Sequence, residues 1–405
     1  MSISWLLDAE PAPRILVLPP DAVDLGEAHA AIDLWEHYSG KRLDPAQRLA
    51  VEVMMAVGVD GKWATGTTGR EMPRQQGKGD EIEVVELWGL VQRAEAILHT
   101  VHDAVILATQ SQQRMLAVLE GHSDLRRLVR KKWMGTGQQM IEMVNGGTIW
   151  YRTRTGGGGR GVDNVDRVVV DEAQHATSEH AAALTPTMLA NPNPQMNAMG
   201  SAAIEGKSGW WWLLRKRALG SDPGRFGYVG HTAERVELVD GVVRQHPVDV
   251  SDRSLWFAAN PSLRSGRGTG IAGLEEQFRR LSPDAFAREH LGVWDPDLSV
   301  SGPSVWPPGV WEAAQAQVVE QPSVGVVFGV DVNPERSRAV VVAGSPGGSC
   351  AVVAERAGVG WVVDEVAAMA ARAGAPVVLA GRSAAGSLVA DLERAGVGVH
   401  ALSAA

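Results

Sequence analysis

The run Arg167-Val168-Val169-Val170-Asp171-Glu172 restricts the possible folds more than any other stretch of this chain. Consecutive β-branched residues without polar alternation read as a strand buried on both faces, and such strands belong to mainly parallel sheets covered by helices. The run stops abruptly in two carboxylates. That puts acid at the carboxyl end of a strand, where open α/β sheets hold their ligands. Asp171 and Glu172 could also simply cap a following helix.

A second stretch narrows the choice. Pro73-Arg74-Gln75-Gln76-Gly77-Lys78-Gly79 reads as a phosphate-binding loop, in which inward-turned N–H groups and a lysine meet the outer phosphates of a nucleotide. The usual first glycine falls at Met72, and the usual Ser or Thr after the lysine is Gly79. Alone, the motif describes a polar turn equally well. Paired with the carboxylate strand, it predicts an α/β P-loop site in which Asp171 holds Mg²⁺ and Glu172 orients the attacking water.

The chain has 405 residues, room for two or three domains, and its 45% hydrophobic content is that of an ordinary folded protein. With 38 basic and 47 acidic residues, its net charge of −9 argues against an overall basic nucleic-acid coat. One cysteine, Cys350, excludes an intramolecular disulfide and a cysteine-based zinc site, and an intracellular setting is expected. Met1 to Pro20 carries acids and prolines where a signal peptide needs a basic end and an apolar core. No run of about 18 apolar residues predicts a membrane span.

In chain order, Asp44-Pro45 opens a helix as cap and first turn, with Gln47 near its start. Asp80 to Glu95 reads as the helix behind the phosphate loop, its buried side carrying Leu87, Trp88, Leu90 and Val91. A strand over Ala96 to Thr100 and a helix over Ala104 to Leu119 follow. His99 and His102 read as packed or capping residues, since no third metal ligand is spaced with them. Asn145-Gly146 between β-like runs predicts a hairpin. The loop Gly156 to Gly161 carries Arg160, which could reach a nucleotide on a neighbouring subunit or equally lie on a mobile surface loop. Pro194 to Met199 reads as a strand ending near Ser201, which could couple nucleotide state to movement. Lys207 to Leu219 reads as a helix whose Trp210, Trp211 and Trp212 pack in a core or interface, and a second hairpin turns at Asp240-Gly241.

From Ser251 the pattern changes to turns and short helices, and Gly302-Pro303 with Pro307-Pro308 marks a boundary. The expected division is an ATPase domain over 1–250, a linker or lid over 251–320 and a further domain over 321–405. That last part shows three strands, then helix, strand, helix and strand, the order of a ribonuclease-H-like fold. Asp331 stands at the first strand, where such folds place a metal ligand.

Taken together, Pro73 to Gly79, Gly159-Arg160-Gly161, Val168 to Gln174, Ala259 to Leu263 and Phe286 to Trp294 resemble the large terminase subunit of tailed bacteriophages. The resemblance implies an ATP-driven motor that moves double-stranded viral DNA into a procapsid. Arg74, Gln75, Gln76, Gly77, Lys78 and Gly79 would surround the phosphates, Gln47 would lie in the adenine-sensing segment, Asp171 would bind Mg²⁺ and Glu172 would be the catalytic carboxylate. Arg160 would act in trans within a homo-oligomeric ring, and Ser201 in coupling. Portal protein and a small terminase subunit are the implied partners, with no membrane, and the place of action is the host bacterial cytoplasm, transiently at the procapsid portal. The resemblance also implies a nuclease using Mg²⁺ or Mn²⁺, with Asp331 a metal ligand. Ala380 stands where a second acidic ligand belongs and the chain stops at Ala405, so an impaired or inactive nuclease is expected. Asp364 and Glu365 read as a solvated helix face. Two further readings are a stand-alone helicase-like ATPase and an inactive prophage remnant that only binds portal or small terminase.

Overall fold

The computed structural model describes residues 12–402 except 20, 104–110, 136–138, 155–161, 240, 267–269, 297–324, 334–335, 347–348 and 382. The chain divides into two units, Met1–Pro303 and Ser304–Ala405.

The first unit is built on nine strands: β1 (Ile15–Val17), β2 (Thr67–Glu71), β3 (Ala96–Val101), β4 (Val129–Trp133), β5 (Met140–Met143), β6 (Thr148–Thr153), β7 (Arg167–Asp171), β8 (Gln195–Gly200) and β9 (Phe226–Gly230). They form one sheet in the order β1-β9-β2-β8-β7-β3-β6-β5-β4. From β9 to β6 the pairing is parallel throughout, and β1, β5 and β4 run antiparallel at the edges. The fold is therefore α/β with a mainly parallel sheet. Val168, Val169 and Val170 are fully buried, each side chain contributing about 1.5–3 kcal/mol of apolar transfer free energy.

Helices cover both faces, as a parallel sheet requires. Against one face lie α1 (Gly26–Ser39), α2 (Pro45–Met55), α3 (Lys78–Val91) and α4 (Gln112–Gly121), burying Trp35, Met54, Leu87 and Leu119 with Val169. A short α5 (Ser123–Leu128) leads into β4. The other face meets α6 (Ser178–Leu184) and α7 (Gly209–Leu219), whose Trp210, Trp211 and Trp212 enter the core with Val168, Val170 and Trp294. Three more helices, α8 (Arg253–Ala259), α9 (Gly270–Arg280) and α10 (Pro283–Leu291), gather around Trp256, Leu274, Phe286 and Leu291. The first unit thus includes the described segments between 251 and 296.

Three boundaries differ from the sequence reading. Helix α3 starts at Lys78 itself, because Gly77 adopts φ 90° and serves as its N-cap, and it ends at Val91. Helix α1 precedes Asp44-Pro45, where the sequence reading places the first helix. The helix expected over 104–119 is described only from Gln112, and it continues to Gly121. The Asn145-Gly146 turn joins antiparallel β5 and β6, and Val236–Val239 pairs antiparallel with Val242–Gln245 on either side of the expected second hairpin turn, whose Asp240 lies outside the described residues.

Close approach explains Gly69 in β2. A Cβ there would meet the ring of Tyr228 on β9, with Cε2 at 2.5 Å. The variant Gly69→Ala should therefore lose about 1–3 kcal/mol of stability through overpacking. A urea melt indistinguishable from that of the parent protein would refute this.

The second unit holds β10 (Val327–Val332), β11 (Arg338–Gly344), β12 (Cys350–Ala357), β13 (Val377–Ala380) and β14 (Val399–Leu402) in the order β12-β11-β10-β13-β14, with α11 (Val362–Ala373) and α12 (Val389–Arg394). The first three strands are antiparallel, and β13 and β14 add in parallel. This is the strand arrangement expected of a ribonuclease-H-like fold. Val330 and Val332 face the core, so the alternation of a strand puts Asp331 on the exposed face. Asp364 is exposed, and Glu365 pairs with Arg356 at 3.1 Å. No described helix is long and apolar enough to cross a membrane.

Candidate active site

The carboxyl ends of β2, β8 and β7 converge on a cleft of about 600 Å³. After β2 the chain forms the loop Met72 to Gly77 and enters α3. Gln75 and Gly77 both take positive φ, 61° and 90°, and such alternation turns backbone N–H groups to one side as an anion-binding concavity. The N-terminus of α3 adds its dipole there.

Arg74, Gln75, Gln76, Gly77, Lys78 and Gly79 all line the cleft, together with Asp171, Glu172 and Ser201. Half-buried Lys78 folds back on its own loop, its Nζ donating to the carbonyls of Met72 (3.1 Å) and Pro73 (3.0 Å) and to Ser201 Oγ (3.2 Å). Burial outweighs the pull of Asp171 and pushes the ammonium down to about 8. A phosphate ligand needs the charged form. Affinity for ATP should therefore hold up to about pH 8 and then fall by up to about tenfold per unit. In Lys78→Arg this break should vanish. A flat fluorescent-nucleotide titration between pH 7 and 9.5 in the unmodified protein would exclude the effect.

The loop is braced from two sides. Gln47 completes a capping box at α2, its N–H on Asp44 Oδ1 (2.9 Å) and its Oε1 accepting from Asp44 N (3.0 Å). Its Nε2 donates to Gly77 O at 3.0 Å. The Gln47 side chain thereby ties the start of α2 to the phosphate loop. On the other side, Gln76 Oε1 accepts from Ser262 N (3.1 Å) and Oγ (2.5 Å), and Arg74 pairs with Glu289 at 2.7 Å. Ser262 and Glu289 belong to the segment of short helices.

Across the cleft, Asp171 Oδ1 accepts from Glu172 N at 2.8 Å. This fixes the first carboxylate and leaves its other oxygen to a ligand. Glu172 has φ 52° and ψ 54°, a left-handed conformation that costs a non-glycine residue about 1–3 kcal/mol and tends to mark functional turns. Arg154 holds that turn: buried at the end of β6, it donates to the carbonyls of Thr100 (2.9 Å), Asp171 (2.7 Å) and Glu172 (3.1 Å). Desolvation pushes Arg154 down to about 10. The Glu172 carboxylate is in ion-pair contact with His102, whose ring stacks on His175 at 3.9 Å. Burial, then Asp171, raises Glu172 above the usual carboxylate range. Burial and the neighbouring His102 push His175 down to about 4.

Gln174 ties this turn to the next strand, its Oε1 accepting from Ser201 N at 3.0 Å. Ser201 thus bridges Gln174 and Lys78, which places the expected coupling residue between the two halves of the site. His99 is buried, as expected, with Nδ1 2.5 Å from Glu86 Oε1. Sequence reasoning missed His102, Arg154 and Gln174 as parts of the site. Only Gln174 carried a signal, by standing two residues after Glu172. Arg160 and its glycine loop lie outside the described residues.

In the second unit Gly329 pairs with Val378 on the neighbouring β13, and Asp331 and Ala380 each stand two positions further along these parallel strands. Among the described residues no group of three His, Cys, Asp or Glu side chains could hold a metal ion.

No protein-family model and no curated protein matches the chain. Among solved structures it is similar to the HK97 bacteriophage large terminase, at 16% identity over 93% of this chain and 84% of that one, with a TM-score of 0.61. It is also similar to the large terminase from a thermophilic bacteriophage in complex with ADP (12% identity, 94% of this chain, 82% of that one, TM-score 0.40). The Thermus phage P74-26 large terminase ATPase domain is a third (14% identity, 64% of this chain, 98% of that one, TM-score 0.43). The first alignment establishes a shared fold over nearly the whole chain. At this identity, function has to be argued from the site.

Proposed function

We propose that this chain is a large terminase subunit, an ATPase that drives double-stranded DNA into a viral procapsid. One observation carries the proposal: Lys78, Asp171 and Glu172 meet in one cleft at the carboxyl ends of parallel strands, with Ser201 in contact with the lysine. ATP would enter with its phosphates on the N–H groups of the loop. Lys78 would exchange its contacts with Met72 and Pro73 for phosphate oxygens, and Glu172 would orient the attacking water. Mg²⁺ bound to a nucleotide takes most of its ligands from phosphate and water and needs one or two carboxylates, a demand Asp171 meets. Such an ion neutralises charge on the transferring group.

Movement would follow from the bracing. Arg74 and Gln76 connect the loop to Glu289 and Ser262, so a ligand that recruits Arg74 alters its hold on the helical segment. Arg160 would complete the site of a neighbour in a ring assembled on the portal, with a small terminase subunit delivering the DNA. DNA would be gripped by its backbone, with affinity that falls as salt rises.

The second unit shares its strand order with metal nucleases, but Asp331 alone does not fit a two-metal centre, which needs several oxygen ligands. Incubation of plasmid with Mg²⁺ or Mn²⁺ should leave the DNA intact, and cleavage lost in Asp331→Ala would overturn that expectation.

The test of the main reading is steady-state ATP hydrolysis across a range of protein concentrations. Turnover per chain should rise with concentration, as an arginine acting between subunits requires. Turnover per chain that stays constant over a hundredfold range would refute the ring with a trans-acting arginine. Absence of turnover with portal and DNA present would refute the motor.

A further inference from the structure

In phosphate loops of this type the residue after the lysine supplies a hydroxyl that faces the metal and the outer phosphates. Here that residue is Gly79, and the space its side chain would take is filled. A Cβ built on Gly79 collides with Arg114 Nη1, and the guanidinium carbon lies 3.0 Å from it. Arg114 projects from α4 and lines the same cleft as the loop.

The arginine is held in that place. Its Nη2 donates to Asp80 Oδ1 at 2.8 Å and its Nε to Glu83 Oε1, both carboxylates standing on α3. Lys41 also reaches Asp80, at 2.9 Å. Two of the three guanidinium nitrogens are thereby committed, and the third, Nη1, is the one against Gly79 with no acceptor among the described residues. Its side chain keeps 41% of its surface, so a ligand in the cleft can reach it. A planar fork anchored at two points loses little freedom when the third nitrogen binds.

We infer that Arg114 is a phosphate-binding residue of this site, its Nη1 donating to the terminal phosphates of a nucleoside triphosphate from the position where a hydroxyl usually stands. The glycine and the arginine then form a matched pair. Gly79 is small because Arg114 passes over it, and Arg114 offers a charge-assisted hydrogen bond in place of the hydroxyl. The inference rests on the nucleotide-site reading above, and it adds a cation of the same chain to the one expected from a neighbour.

The test is equilibrium binding of Mg²⁺ with the non-hydrolysable β,γ-imido analogue of ATP, and separately of ADP, read by calorimetry alongside thermal melting. Arg114→Ala should weaken the triphosphate analogue about tenfold or more, the loss of one charge-assisted bond, and ADP by less than about threefold. Gly79→Ser alone should weaken the analogue, because its side chain meets Arg114. The double variant Gly79→Ser/Arg114→Ala should bind better than either single variant, since the space is open and a hydroxyl stands in it. Arg114→Ala also takes a cation from Asp80 and Glu83, so its melting temperature should fall by a few degrees; a variant still folded at the assay temperature separates binding from folding. Equal binding of the analogue by the parent and Arg114→Ala would overturn the inference and leave the nucleotide site standing, as would a double variant weaker than both singles. No binding of either nucleotide by the parent protein would overturn the nucleotide reading itself, and this inference with it.

Discussion

Glu172→Gln should lower ATP turnover by about 10²- to 10⁴-fold, the range for loss of a positioned acid–base group, while nucleotide binding stays within about threefold. Glutamine keeps the size of the side chain and can hold the same left-handed backbone, so the fold has no reason to change. What disappears is the carboxylate that Arg154 and His102 present to the cleft. The pH dependence follows from the upward shift of Glu172 by burial and Asp171. Orientation of water needs the ionised form, so turnover should fall on the acid side at a pH above that of an ordinary glutamate. Turnover in the glutamine variant within about threefold of the parent would remove Glu172 from the mechanism.

The largest effect on stability is expected at Arg215. This arginine is fully buried between Glu71 and Glu234, its Nη2 on Glu71 Oε1 at 3.1 Å and its Nη1 on Glu234 Oε2 at 2.8 Å. Glu71 also accepts from Tyr228 OH (2.7 Å) and Trp294 Nε1 (2.7 Å), and the Arg215 guanidinium lies 4.3 Å from the Trp294 ring. Arg215→Met leaves two carboxylates in the core without their cation. Breaking a buried pair in this way costs about 3–5 kcal/mol, a fall of roughly 10 °C in melting temperature for a unit of this size. Burial already raises the Glu71 carboxyl in the intact protein, and the variant loses the cation that opposes this. Because the folded value then stands further above the unfolded one, the cost is fully present above the folded value, fades as pH falls from the folded value to the unfolded one, and is gone below it. Urea melts should therefore show a larger deficit at pH 7.5 than at pH 4.5. A deficit below about 1 kcal/mol at pH 7.5 would refute the prediction.

Much of the fold is written in local patterns. The β-branched run at Val168 to Val170, the Asp44-Pro45 helix start and the Asn145-Gly146 turn each depend on neighbours a few residues away, and each appears where its chemistry dictates. Helix α1 was legible too, since Ala28, Ala31, Ile32 and Trp35 recur with helical spacing and are all buried. Strand β9 was obscured. Gly227 and Gly230 dilute its β character, yet a Cβ on Gly227 would stand 2.5 Å from Val53 Cγ1 on α2, so packing demands the residue that weakens the signal.

The site itself was half legible. Lys78, Asp171 and Glu172 sit at the ends of elements with strong periodicity, so their convergence follows from the parallel sheet. Arg114, Arg154 and His102 do not, because long side chains meet partners that are 17 to 70 residues away and no local period encodes such pairs. Gln47 shows the same limit. Its place in a capping box follows from Asp44-Pro45-Ala46-Gln47, whereas its bond to Gly77 spans 30 residues.

The contact between Trp294 and Glu71 also bears on synthesis. These residues are 223 positions apart, yet the indole stacks on Trp211 at 5.5 Å and closes the core beside the strand that feeds the phosphate loop. A ribosome adding about 5–20 residues per second needs roughly 10–45 s to cover that distance. Until then Glu71, and later Arg215 and the tryptophans of α7, lack the segment that seals them. The nucleotide-binding half should therefore complete its packing late in translation, once Trp294 clears the exit tunnel.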